Sequence, residues 1–201
     1  MRDAKFVATA YHEASHAILG MICGQKLKSV HVLSNSTGYC RFEKTRLDVP
    51  QLSSRALSEK KMLAELVIYW RNRYLIADAG QIGESELSPL SGHIPKDFAY
   101  SDELNKTSCM PSREDYWRVR RFYKRQFRPF KANLFRLCSE IIQTEAISDS
   151  ITSLAEMLVR KPDLRGDEVM NLLMTNRINK TRQLDLFWEP IDESIIDFAS
   201  H

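Results

Sequence analysis

Cysteine is scarce in this chain and has no framework: four residues, at 23, 40, 109 and 138, with no Cys-x-x-Cys pair and no short repeated spacing. A disulfide-stapled scaffold and a thiolate zinc cluster are thereby excluded. The four read as reduced thiols of a cytosolic protein, none of them a metal ligand. Glycine and proline are also sparse, seven of each in 201 residues, and neither low-complexity tracts nor internal repeats are present. None of the seven glycines opens a Gly-x-x-x-x-Gly-Lys-Ser/Thr loop, so ATP binding is not expected. No apolar run approaches the roughly 20 residues that span a bilayer, and no membrane anchor is expected. The first helical pattern starts so close to Met1 that a signal peptide is not expected either. These absences point to a cytoplasmic globular protein. The apolar content of 43% with 27% charged residues is ordinary for that class, and the length suits one domain or one domain plus an appendage.

What the chain does have is Tyr11-His12-Glu13-Ala14-Ser15-His16-Ala17, a His-Glu-x-x-His stretch. On a helix, residues four apart share one face, so His12 and His16 can present two imidazole nitrogens to a single Zn²⁺. Glu13 is then placed to act on a water at the metal, taking its proton and passing it to a leaving amine. This is metalloprotease chemistry. The flanks support the helix it needs: Asp3 caps a stretch from about Ala4 to Cys23. Phe6, Ala10, Ala14, Ala17, Ile18 and Met21 supply the apolar positions, and Gly24 a stop. The plainer reading is a solvated or internally hydrogen-bonded trio, but such groups on a buried face are costly without a partner.

Downstream, Leu27, Val30, Val32 and Leu33, turn residues 34–38, and Tyr39-Cys40-Arg41-Phe42 read as a β-hairpin. Its edge could pair with an extended peptide, or the hairpin could simply cover the core. A core helix is expected from about Ser54 to Ala79, a loop over 85–95, and a further helix near Pro95 to Cys109. Helices are also expected from Ser112 towards Pro129, from Leu134 to Ile147, from Ile151 to Val159 with Ser148 or Asp149 as cap, and from Asp167 to Ile178. Residues 1–178 form the expected domain and 179–201 a tail that is apolar enough to dock.

Several of these stretches together resemble the peptidase domain of the FtsH-type AAA zinc proteases. Tyr11 to Ala17 is similar to their zinc helix, and Val30-His31-Val32 through Thr37-Gly38-Tyr39 to the hairpin that follows it. Ala79-Gly80-Gln81-Ile82-Gly83-Glu84 looks like their Ala-Gly-x-x-Ala-Glu helix, Asp97-Phe98 like the Asp-Leu that provides a third ligand, and Leu164-Arg165-Gly166-Asp167-Glu168-Val169 like their Leu-x-Gly-x-Glu-Val turn. The likeness covers roughly residues 4–175. Ser15 stands where the family usually has glycine, and Gly83 where it usually has alanine. The resemblance implies a mainly α chain with a small β-hairpin (α+β), zincin-like, and a peptidase module standing without the family's ATPase; the family's hexamer cannot be carried over with it.

A catalytic zinc takes three protein ligands, and the candidates after Glu84 are His93, Asp97, Asp102 and Glu103. The resemblance asks for an acid at a helix start followed by a large apolar residue, a small one and another apolar one, which Asp97 meets with Phe98, Ser101 and Leu104. A helix starting near Pro95 has about four turns before Pro111, against about two from Asp102. Asp97 is therefore preferred. Ser101-Asp102-Glu103-Leu104 is also similar to the family's Ser-x-Asp-Leu and would make Glu103 the ligand, so both Asp102 and Glu103 stay open.

From Arg113 to Arg136 there are nine Lys/Arg against two acids, a segment charge of +7 in a chain of net +3, so the rest sums to −4. Aromatics interleave with the basic residues there, a mixture that nucleic-acid surfaces use. Their helical spacing favours a core stripe beside a solvated basic face, and nucleic acid is not the expected partner. The leading expectation is a zinc-dependent endopeptidase that cuts flexible or unfolded cytosolic polypeptides without ATP, with His12, His16 and Asp97 as ligands and Glu13 as general base. The alternative is a non-catalytic module of the same fold that binds nucleic acid or a protein.

Overall fold

A computed structural model describes residues 3–34, 37–43, 72, 75–89 and 128–175. The first helix, α1 (Ala4–Ile22), begins where the Asp3 side chain accepts the Lys5 N–H at 3.2 Å. It ends at Cys23, followed by Gly24 at a φ of 82°, a left-handed conformation that glycine adopts without strain. All six apolar positions expected to face inward are buried, and Tyr11, Leu19 and Ile22 join them. Burial runs most of the way round this helix. Alanine at positions 10, 14 and 17 lets its neighbours approach closely, and α1 is the element on which the others pack.

Strand β1 (Leu27–Ser34) pairs antiparallel with β2 (Thr37–Phe42), with Val30 opposite Cys40 and His31 opposite Tyr39. The expected two-stranded hairpin gains a third strand, β3 (Asp163–Arg165), which is antiparallel to β1 on its other side. Among the described residues the sheet order is β2-β1-β3, with β2 at an edge. Val30, Val32 and Leu164 are buried, while His31, between the two valines, is only partly so, as the alternation of a strand requires.

Helix α2 covers 75–87 and runs through Gly80 and Gly83, with a bend and a turn at Ser88 and Pro89. The expected helix end at Ala79 and loop from 85 are therefore corrected. Glycine costs about 1 kcal/mol in a helix interior relative to alanine, but here the bare glycine face is packed against α1, and packing overrides propensity. Helices α3 (Arg128–Ile142), α4 (Glu145–Arg160) and α5 (Gly166–Thr175) complete the described elements. Pro129 falls in the first turn of α3, where its missing N–H costs nothing. The break before α4 comes earlier than expected: Thr144 is its N-cap, and Ser148 lies inside the helix, bonded back to the Glu145 carbonyl at 3.0 Å.

Ile147, Ile151, Leu154, Ala155 and Leu158 form the buried stripe of α4, which packs along α1. Each such aliphatic side chain, fully buried, stabilises the fold by about 1.5–3 kcal/mol. Glu168 starts α5 by accepting the Arg165 N–H at 2.9 Å, with Lys161 at its other oxygen at 2.6 Å, the back-reach of a capping box. Among the described residues no helix is long and apolar enough to cross a membrane.

Candidate metal centre

Two elements meet at the histidines. Ile76, Gly80, Gly83 and Glu84 are spaced to share one face of α2, and that face meets His12, Ser15 and His16 of α1. The His16 Nδ1–H donates to the Ile76 carbonyl at 2.6 Å; a carbonyl can only accept, so this nitrogen carries the ring proton. The Nδ1 of His12 lies 3.0 Å from Glu84 Oε2, where it donates to the carboxylate. With both Nδ1 positions protonated, any lone pair the rings present is at Nε2, and those two atoms are 3.0 Å apart with the rings at 78°. Two lone pairs at that separation repel unless a proton or a cation lies between them.

Tetrahedral zinc with Zn–N bonds of 2.0–2.1 Å sets its nitrogens about 3.3 Å apart, close to the observed spacing. The anchoring of each Nδ1 by a carboxylate or a carbonyl is the outer support that metal-binding histidines need. Space is kept for an ion as well. A Cβ built on Gly80 would collide with His16 Nε2 and stand 2.6 Å from His12 Nε2, so glycine leaves open the volume at which both nitrogens aim. The residues present fit a zinc ion.

Next along α2, a Cβ at Gly83 would collide with Ser15 Oγ, which is turned back onto the Tyr11 carbonyl at 2.8 Å. Ser15 and Gly83 thus face each other. The Ser15 side chain is accommodated by the missing side chain of Gly83.

Glu13, next to His12 on α1, meets β2 and is 5% exposed. A Cβ at Gly38 would collide with its Cγ and stand 2.7 Å from Oε1. The Cys40 thiol lies 3.2 Å from the Glu13 carbonyl and 3.5 Å from Oε2. Burial first, then the Glu13 charge and the hydrogen bond to it, push that thiol well above its ordinary pKa, so at neutral pH it keeps its proton and donates. The structure therefore brings His12, His16 and Glu13 together on one helix with distinct neighbours for each.

Among the described residues no group of three or more His, Cys, Asp or Glu forms a complete metal site. His93, Asp97, Asp102 and Glu103 all lie outside the described residues, as do the core helix expected over 54–71, the basic aromatic segment as far as 127, and the tail from 179. Sequence reasoning missed the part of Glu84, although it stands in the stretch whose resemblance was noted. A glycine pair three apart followed directly by an acid was its available signal. The Ile76 carbonyl carried no signal at all, since backbone atoms have no sequence identity. Comparison of the chain with protein-family models finds no match, and none is found among curated proteins.

Proposed function

We propose that this chain is a zinc-dependent, zincin-like endopeptidase of the FtsH peptidase type, acting in the cytoplasm on flexible or unfolded polypeptides. One observation carries the reading: the Nε2 atoms of His12 and His16 converge to 3.0 Å while each Nδ1 is held from behind. His12 and His16 hold the metal, and Asp97 is the proposed third ligand, with Asp102 or Glu103 as its substitutes. A bound zinc supplies Lewis acidity to a scissile carbonyl.

The rest of the chemistry belongs to side chains of this protein. Glu13 takes the proton of the attacking water and delivers it to the departing amine. Glu84 and the Ile76 carbonyl keep the two rings in the tautomer that binds metal. An extended substrate adds to the edge of β2 opposite β1, where its backbone is held by strand pairing close to Glu13. Folded proteins have no strand free to do so. Metal analysis and cleavage of an unstructured reporter peptide test the reading together: one chelator-sensitive zinc per chain and zinc-dependent cleavage are expected. Glu13→Gln keeps the zinc and lowers the rate by about 10²–10⁴-fold; undiminished cleavage by that variant would refute the assignment. A chain without zinc that binds nucleic acid in a salt-dependent way would support the non-catalytic alternative instead.

A further inference from the structure

Residues 38 and 40 lie two apart on β2 and so face the same side; both touch Glu13. Gly38 packs against its Cγ and Oε1, and Cys40 reaches Oε2 and the main-chain carbonyl of the same residue. The strand thus fits around the carboxylate, with a missing side chain on one oxygen and a donor on the other. Along the same line of α1, Gly20 receives the ring of Phe42, which sets how far β2 can slide relative to the helix.

We infer that Cys40 is a positioning residue for Glu13: its S–H, at Oε2 and beside the main-chain carbonyl, fixes the rotamer in which the carboxylate meets the proton it exchanges. This rests on the peptidase reading for its consequence in catalysis, though the contact itself does not. Cysteine suits the task because its sulfur lies within sulfur hydrogen-bonding range of the main-chain carbonyl and of one carboxylate oxygen of Glu13 while the residue stays half-buried. A strand that both grips the base and offers its edge to a substrate also ties proton transfer to substrate pairing. Any shift of β2 on binding is felt at Oε2.

The test uses the full, zinc-loaded chain with an unstructured, dye-labelled peptide. Cys40→Ala removes the donor and is expected to lower kcat about tenfold with KM and zinc content unchanged, whereas Cys40→Ser, which keeps a donor, retains most of the rate. Equal losses in Cys40→Ala and Cys40→Ser, or a loss confined to KM, overturn the inference, because packing alone would produce them. A second measurement needs no turnover: the pH dependence of Cys40 alkylation, followed by mass spectrometry in the wild type and in Glu13→Gln. Removing the neighbouring charge is expected to shift that profile to lower pH; superimposable profiles overturn the contact. A chain that cleaves nothing yet shows the alkylation shift defeats the peptidase reading and supports the contact, and one that cleaves but shows neither change defeats this inference alone.

Discussion

Two glycine-lined contacts on α1 look alike and do opposite things. At Gly20 the missing side chain is filled by the ring of Phe42, within 2.5 Å of where a Cβ would stand. At Gly80 the missing side chain is answered by two imidazole nitrogens. The first is closed by an apolar group and stabilises packing. The second is bounded by lone pairs whose rings cannot swing away, because each is tied at Nδ1. The presence of a small residue therefore says nothing of purpose; what decides is whether its neighbours can relax and which atoms they turn towards it.

The comparison breaks hardest at Gly80. Gly80→Ala gains about 1 kcal/mol of helix propensity and should leave the circular-dichroism spectrum intact. It should nonetheless lower zinc affinity by more than the roughly 10–100-fold that losing an outer partner costs. Competition with a chelator reads this directly, and unchanged affinity would mean that the ion does not sit between the two Nε2 atoms. Glu84→Ala is the next largest effect, expected within that 10–100-fold range, since the His16 anchor remains. At Gly20 the same alanine change should be nearly silent in metal binding. Because Cζ lies on the axis about which the Phe42 ring turns, the whole ring must be displaced to admit the methyl group, and stability measured by urea should fall by about 1–3 kcal/mol in spite of the gain in helix propensity.

A still smaller effect lies away from both contacts, at Glu168. The Arg165 backbone N–H, and then Lys161, hold this carboxyl below its ordinary range. A carboxyl lowered in the folded state adds stability that is full above its unfolded value and is lost as pH falls through the folded one. Glu168→Gln should therefore show a slightly lower Tm than the wild type at neutral pH and the same Tm in acid; parallel curves at all pH values would count against the cap.

Much of α1 was legible because its signals are local. Asp3, Gly24 and the apolar spacing lie within one element, and so does the four-residue step from His12 to His16. The mainly helical class with a small sheet was legible for the same reason. Strand β3 was not: three residues are too few to display alternation, and its pairing with β1 is long-range. The start of α4 at Thr144 was missed because Ser148 is as good a cap by type and differs only in turning its hydroxyl back to Glu145. Gly80 and Gly83 read as punctuation, since their meaning depends on His12, His16 and Ser15 across the helix interface. The Cys40 contact with Glu13 was hidden in the same way.

The partners of the two histidines come 72 and 60 residues later in the chain than the rings they hold. During synthesis α1 emerges before α2 with both imidazoles in place, yet their tautomers stay unassigned until α2 has followed and docked. Loop closure over such a span is a late event compared with helix formation. A nascent chain therefore carries its histidine pair without the partners that orient it, and one cut short before α2 never gains them.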